Sequence, residues 1–194
     1  YLRPDPELMR TIVFKGLPMG AQMLAISLSG IIMMSMINAY GAETAAAYGV
    51  AVQLWTYAQM PAMAIGAAVS SMAAQNVGAG KWDRVERSAH AGIAINVLLT
   101  GSLVGLLYIV DPYVVGLFLP NQPAAIASAE HINSIAGWSF IMFGVTFVLF
   151  GVVRSTGAVT PPLIILIISL FGVRIGFAEW FKPTMGQDAI WWSF

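Results

Sequence analysis

The sequence predicts an all-α protein, a polytopic bundle of helices that cross a membrane. The first observation is composition, because 58% of the 194 residues are hydrophobic and 9% are charged, whereas soluble domains carry roughly 25% charged residues. The second is that uncharged runs of about 20 residues, the length that crosses the hydrocarbon core, recur along the chain. The third is that small residues repeat at helical spacing in these runs, which lets membrane helices approach closely.

Composition also excludes several classes of function. The nine basic and nine acidic residues give a net charge of zero, so the chain lacks the basic surface that binds nucleic acid. It contains no cysteine, which rules out disulfides and thiolate catalysis. No histidine or carboxylate pair has the spacing of a metal site, and no Ser-His-Asp set or phosphate-binding loop occurs. We therefore expect a non-enzymatic protein without a metal or an organic cofactor.

Five runs are predicted to span the membrane, and the start of a sixth helix follows them. The spans lie at about 17–37, 44–77, 89–110, 127–153 and 163–181. The sixth helix is expected from residue 188, with the Asp188 carboxylate as its N-cap. Residues 1–15 mix basic and apolar side chains, which is typical of a segment at the membrane surface. Residues 1–194 are expected to form one helical unit that is a fragment of a longer protein, because no initiator methionine is present and the last residues begin a new apolar run.

Charge divides the predicted loops into two groups. The N-terminal segment, the 78–88 loop and the 154–162 loop together carry Arg3, Arg10, Lys15, Lys81, Arg84, Arg87 and Arg154. The remaining loops carry Lys182 with Glu43, Asp111, Glu130, Glu179 and Asp188. Because basic residues concentrate in the cytoplasmic loops of membrane proteins, the N-terminus of this chain is expected to be cytoplasmic.

The second span contains a proline inside an apolar run and is predicted to bend there. Pro61 cannot donate the backbone hydrogen bond that continues a helix, so helices kink at such a residue. A straight helix over 44–77 would reach roughly 50 Å, which is more than one crossing needs. We predict that Pro61 supplies the movable element of a protein with two states. Cytoplasmic corners of the bundle are expected at Asn76, Gly78, Gly80, Arg154 and Gly157.

Uncharged polar residues and methionines mark a candidate substrate cavity. The candidates are Gln22 and Asn38 in the first span, and Gln53, Tyr57 and Met60 just before the proline. Methionine is flexible and polarizable, and together with a few hydrogen-bonding groups it suits a wall that accepts varied organic molecules. The alternative is that these methionines only fill gaps between helices.

One charged residue, Arg174, lies well inside a predicted span. Charged side chains inside a membrane are costly and frequently functional. Arg174 is predicted either to form an ion pair or gate with Glu179 or Glu130, or to extend its guanidinium outward to the membrane surface.

Four stretches resemble the C-terminal lobe of multidrug and toxic compound extrusion (MATE) transporters. They are Lys15-Gly16-Leu17-Pro18; Ala45 to Gln53 followed by Pro61, Gly66, Ala67, Asn76, Gly78 and Gly80; Gly151 to Gly157 with Thr160-Pro161; and Asp188-Ala189-Ile190-Trp191. In that order they are similar to the start of the family's seventh helix, its eighth helix, the loop after its tenth and the start of its twelfth.

The resemblance implies an exporter of twelve helices in two lobes, of which this chain supplies helices seven to eleven and the beginning of twelve. Such proteins exchange organic cations or other drug-like molecules for H⁺ or Na⁺. The resemblance further implies the lipid bilayer and the N-terminal lobe of the same protein as partners, and the bacterial plasma (inner) membrane as the location.

The chain departs from this family at two positions. Sodium-coupled bacterial members carry a carboxylate in the middle of the seventh helix and another in the tenth. The matching positions here are Ile26 and Phe143, whose side chains cannot bind a cation. The coupling ion is therefore expected to bind in the lobe that this chain lacks.

Two other functions stay open on sequence grounds. A lipid-linked oligosaccharide flippase of the same superfamily would carry more cationic residues in its cavity than Arg174 alone. A membrane scaffold subunit that transports nothing would show no efflux of a fluorescent cation.

Overall fold

The computed structural model describes residues 5–194, apart from the side chain of Pro112, and this part of the chain is helical throughout. The helices are α1 (Pro6–Asn38), α2 (Ala42–Gly78), α3 (Trp82–Phe118), α4 (Pro123–Ala136), α5 (Ser139–Ser155), α6 (Thr160–Ile167), a π-helical segment (Ile168–Ile175), α7 (Gly176–Met185) and α8 (Asp188–Trp192). Between residues 5 and 194 no strand interrupts them. The predicted all-α class is confirmed.

Helix α2 lies at the centre of the bundle. It packs against α1, α3, α4 and α5, and most of the residues it buries are alanine, glycine or aromatic. The small residues bring neighbouring backbones close. The carbonyl oxygen of Gly66 would lie 2.8 Å from a Cβ atom added to Gly151 of α5, so these two helices meet with almost no side chain between them.

Within the described part of the chain, three helices are long and apolar enough to cross a membrane: Pro6–Asn38, Trp82–Asp111, and Thr160–Met185, which joins α6, the π-helical segment and α7. Helices α4 and α5 satisfy the same test only together, as one span bent by 49°. Helix α2 is not among these spans although it has 37 residues. Its glycine, proline and polar residues lower its mean hydropathy. The division into five spans therefore stays a prediction.

The amphipathic start of the chain does not form a separate surface helix. The Asp5 carboxylate accepts hydrogen bonds from the backbone N–H groups of Glu7 and Leu8 at 2.9 and 3.4 Å, which is a standard helix N-cap. From Pro6 the helix continues without a break to Asn38. The predicted surface segment is thus the first part of α1, and residues 1–4 of that segment lie outside the described part of the chain.

Helices α2 and α5 run in the same direction. Trp55 packs on Phe140 with ring centroids 5.0 Å apart, and further along both helices Gly66 lies against Gly151. Arg154 at the end of α5 therefore lies at the same end of the bundle as the turn that joins α2 to α3.

The basic residues of that turn share this end with the start of α1. Lys81 directly precedes α3, and Lys15 of α1 lies against Gly157, just beyond α5. Of the basic residues assigned to one side from the sequence, Arg3 lies outside the described residues. At the opposite end, His131 of α4 and Asp188 of α8 form a hydrogen bond with 3.0 Å between Nε2 and Oδ1. The structure thus separates the two groups of charges as the sequence predicts.

Candidate functional site

Three of the predicted cavity residues lie along one face of α2, just before the proline. Gln53, Tyr57 and Met60 are four and three residues apart, so they follow one side of the helix. All three are exposed, Tyr57 by 53% and Met60 by 57%. Asn38 is also exposed, at the far end of α1. The open face of α2 is thus a wall without a partner among residues 5–194.

Pro61 follows this face and lies inside an unbroken helix. Helix α2 runs from Ala42 to Gly78 through the proline. A proline has no N–H, so the carbonyl of Tyr57, four residues earlier, lacks its helical donor. The open face therefore carries the Tyr57 side chain at the position where the backbone of α2 lacks a helical hydrogen bond. The bend predicted at Pro61 stays a prediction.

A shallow groove adjoins the open face. It has a volume of about 170 Å³ and is lined by Leu54, Tyr57, Ala58, Leu103, Leu106, Leu107 and Val110. Except for the Tyr57 hydroxyl, these side chains are apolar. The groove between α2 and α3 suits the hydrocarbon part of a molecule and offers Tyr57 as its polar contact.

Gln22 does not belong to this wall, which corrects the sequence-based assignment. Its side chain is only 3% exposed. The Gln22 amide oxygen accepts a hydrogen bond of 2.6 Å from Arg154, and its nitrogen donates to the Val159 carbonyl at 3.4 Å. Gln22 is a polar link between α1 and the end of α5, because a buried amide must use its hydrogen-bonding groups.

The predicted corners lie at the basic end. Asn76 donates to the Met72 carbonyl at 2.8 Å, which keeps its side chain on its own helix. Gly80 has a φ of +69°, a left-handed conformation that lets the chain turn from α2 into α3. Gly78 is the last residue of α2. Gly157 has a φ of +86° in the turn after α5.

Arg174 is turned toward aromatic side chains. It lies in the π-helical segment, and its guanidinium carbon is 3.7 Å from the centre of the Phe194 ring, where a cation–π contact forms. The Tyr48 hydroxyl of α2 faces the same guanidinium. In the described part of the chain Arg174 forms no ion pair with Glu130 or Glu179, so the predicted ion pair is replaced by stacking on an aromatic ring.

A buried polar network joins α2, α3 and α4, and sequence reasoning missed it. The Trp55 indole donates to the Asn133 side-chain oxygen at 2.8 Å, and the Asn133 nitrogen donates to the Asp111 carboxylate at 2.7 Å. Asp111 is 5% exposed and Asn133 is 1% exposed. The sequence places Asp111 beside a proline, which suggests a loop, whereas α3 continues through it to Phe118. The sequence did contain one indication of this network, because Asp111 and Asn133 both adjoin apolar runs.

The bend between α4 and α5 lies next to this network. A Cβ atom on Gly137 would be 2.6 Å from the Asn133 carbonyl oxygen, so the sharp turn requires glycine there. The Tyr108 hydroxyl lies 3.1 Å from the Asn133 carbonyl oxygen and 3.2 Å from that of Ser134. The Asn133 carbonyl also keeps its helical donor, the Gly137 N–H, at 2.8 Å, so Tyr108 adds a donor from α3 to the backbone next to the bend.

A second polar contact holds the three central helices together. The fully buried Asn96 of α3 donates to the carbonyls of Ala62 and Gly144 at 3.3 and 3.2 Å. The Thr100 hydroxyl donates to the Asn96 oxygen at 2.9 Å. One side chain of α3 therefore binds the backbones of α2 and α5 at the same level.

Comparison with known proteins places the chain in a family. Residues 18–180 match the MatE family. The chain is 36% identical over 178 residues to the probable multidrug resistance protein YoeA of Bacillus subtilis (strain 168), covering 92% of this chain and 38% of that protein. It is 32% identical to the probable multidrug resistance protein YpnP of the same organism, covering 96% of this chain and 42% of that protein. The chain thus spans about two fifths of the length of these relatives.

Solved structures show the same fold. A multidrug resistance MATE family transporter of the MOP superfamily in its outward-facing conformation superimposes with a TM-score of 0.89 at 18% identity, over 98% of this chain and 43% of that one. A MATE structure in the bent conformation gives a TM-score of 0.88 at 19% identity, over 99% and 43%. The resemblance read from the sequence is confirmed, and the chain has the fold of one lobe of such a protein. Members of this group are transporters rather than enzymes, and this chain belongs to the MatE family.

Proposed function

We propose that this chain is the C-terminal lobe of a multidrug antiporter that exports organic cations or other drug-like molecules in exchange for H⁺ or Na⁺. The observation that carries the proposal is that nearly all of the chain superimposes on less than half of each solved transporter. The open face on α2 would then line a central cavity, with the first lobe on the opposite side. Gln53, Tyr57 and Met60 would contact the transported molecule.

The coupling ion is proposed to bind in the first lobe. Ile26 of α1 and Phe143 of α5 occupy the positions at which sodium-coupled relatives are expected to carry carboxylates. Neither side chain has an atom that binds a cation. Within residues 5–194 no group of three or more histidine, aspartate or glutamate side chains is arranged to hold a metal ion.

The basic end of the bundle is proposed to face the cytoplasm of a bacterial cell. Arg10, Lys15, Lys81 and Arg154 belong to this end, and the membrane potential and insertion machinery favour such an end on the inner side. The N-terminus of the chain would then be cytoplasmic, with the spans in the plasma (inner) membrane.

Efflux of a fluorescent cation tests the proposal. The protein expressed from its complete gene is placed in cells that lack their main efflux pumps, and the loss of preloaded ethidium is measured. We expect faster loss than in cells with an empty vector, and we expect collapse of the proton gradient or removal of Na⁺ to abolish the difference. Equal loss with and without the protein would favour a flippase or a scaffold and would contradict the proposal.

Substitution of Pro61 by alanine is expected to slow ethidium efflux about ten-fold or more while the protein still reaches the membrane. Alanine restores the missing N–H donor to the Tyr57 carbonyl and stiffens α2 at the position where it must move. Pro123→Ala is the matched control, because a proline at the first position of α4 removes no helical hydrogen bond. Unchanged efflux in Pro61→Ala would remove the role assigned to this proline.

A further inference from the structure

Two cationic side chains from different helices lie near the turn between α5 and α6. Lys15 extends from α1, and its Nζ atom would lie 3.2 Å from a Cβ atom added to Gly157. The Lys15 ammonium therefore rests directly over the backbone of that glycine. Arg154 lies in the last turn of α5, three residues before Gly157. We call Lys15, Arg154 and Gly157 the basic corner.

Arg154 is held in place by neutral partners. Its terminal nitrogen donates to the buried Gln22 oxygen at 2.6 Å, and its guanidinium carbon lies 5.9 Å from the centre of the Phe150 ring. Its Nε atom is buried and has no hydrogen-bond partner. These contacts fix the guanidinium without neutralising it, so the full positive charge remains at the corner.

Lys15 is likewise not neutralised by the described residues. Between residues 5 and 194 the acidic side chains at this end of the bundle, Asp5, Glu7, Asp83 and Glu86, form no ion pair with either cation. The Asp188 carboxylate, which contacts His131, lies at the opposite end of the bundle. The carbonyl groups that end α5 attract Arg154, but Lys15 comes from another helix and forms no hydrogen bond to them.

The position of the basic corner suits the surface of a bilayer. Thr160, three residues after Gly157, begins the apolar span that runs to Met185, and beyond Lys15 the apolar part of α1 continues. The two cations therefore lie where two spans leave the hydrocarbon core. Basic pockets between helices at this level bind the phosphate groups of lipid headgroups, because ammonium and guanidinium groups form charge-assisted hydrogen bonds with phosphate oxygens.

We propose that the basic corner is a binding site for the phosphate group of an anionic lipid, with Lys15 and Arg154 as its two ligands. The Nζ of Lys15 and the solvent-accessible part of the half-buried Arg154 guanidinium both serve the same phosphate. Gly157 leaves space for the phosphate, because a side chain at this position would fill the space next to the Lys15 ammonium. This assignment does not depend on the proposed transport function or on which leaflet the corner faces.

The test measures lipid retention on the full-length protein. Delipidated protein in neutral detergent receives phosphatidylglycerol or phosphatidylcholine, and the bound lipid is counted by native mass spectrometry. We expect Lys15→Gln to weaken phosphatidylglycerol binding about five-fold, the loss that corresponds to one basic residue near a lipid surface, and to leave phosphatidylcholine binding unchanged. Lys15→Arg should retain the wild-type affinity.

Lys81→Gln is the matched control, because Lys81 is exposed at the same end and lies outside the basic corner. Lys15 is itself exposed, so its substitution should leave folding intact, which the melting temperature verifies. Equal phosphatidylglycerol affinity of Lys15→Gln and Lys81→Gln would overturn the proposal. Competition by millimolar inorganic phosphate as effective as that by phosphatidylglycerol would also overturn it, since the site would then serve a free anion rather than a lipid.

Discussion

Gly144→Ala should destabilise the folded protein by about 2–4 kcal/mol, although alanine is the better helix former. An added Cβ atom would overlap the Asn96 side-chain oxygen, so the asparagine must move. Overpacking in a full core costs about 1–3 kcal/mol, and loss of a buried hydrogen bond costs about 1–3 kcal/mol. The gain in helix propensity of about 1 kcal/mol offsets only part of this. Unfolding of the full-length protein in detergent, followed by tryptophan fluorescence, measures the difference.

Two further variants show whether Asn96 is the cause. Gly105→Ala in α3 places its Cβ atom where no neighbour lies within 4 Å, so it should be neutral or slightly stabilising. The double variant Gly144→Ala/Asn96→Ala should be more stable than Gly144→Ala alone, because the clash disappears while both carbonyls keep their helical partners. Equal stability of Gly144→Ala and Gly105→Ala would show that the contact between α3 and α5 is not close.

The helices could be predicted from the sequence because hydropathy and helix breakers are local. Gly80 and Gly157, with their positive φ values, follow α2 and α5 closely. The bend in the fourth predicted span could not be predicted in this way. It lies next to a contact between distant residues, because Tyr108, 25 residues before Asn133, donates a hydrogen bond to the Asn133 carbonyl from another helix.

The candidate site was only partly predictable for the same reason. Tyr57 and Met60 could be placed on one face of α2 from their spacing alone. Gln22 also lies in an apolar run and was an equally plausible cavity residue. Its partner Arg154, however, lies 132 residues away, and only the fold brings the two together. Polar residues in apolar runs therefore identify hydrogen-bonded positions, and packing decides whether such a position faces a cavity or another helix.

The network of Asp111, Asn133 and Trp55 supplies the second large effect. Asn133→Leu removes the hydrogen-bond donor that the Asp111 carboxylate receives at 2.7 Å and the acceptor that the Trp55 indole uses at 2.8 Å. The Asp111 carboxylate would then be buried without this donor, and an unsatisfied buried hydrogen-bonding group costs about 1–3 kcal/mol, with a larger cost for a charged group. We expect a destabilisation of that size in unfolding measurements. Asn38→Leu, at an exposed asparagine, should change stability by less than about 0.5 kcal/mol.

A double-mutant cycle separates the cost of the stranded carboxylate from the loss of packing. If the charge is the cause, Asp111→Leu/Asn133→Leu should be more stable than Asn133→Leu, since an apolar pair of similar volume replaces a buried ion and its donor. The unpaired Trp55 indole remains in both variants and therefore cancels in this comparison. Additive effects of the two substitutions would instead mean that water reaches Asp111 and that α4 is held by packing alone. The expected non-additivity would show that a polar link between α3 and α4 stabilises the bent span.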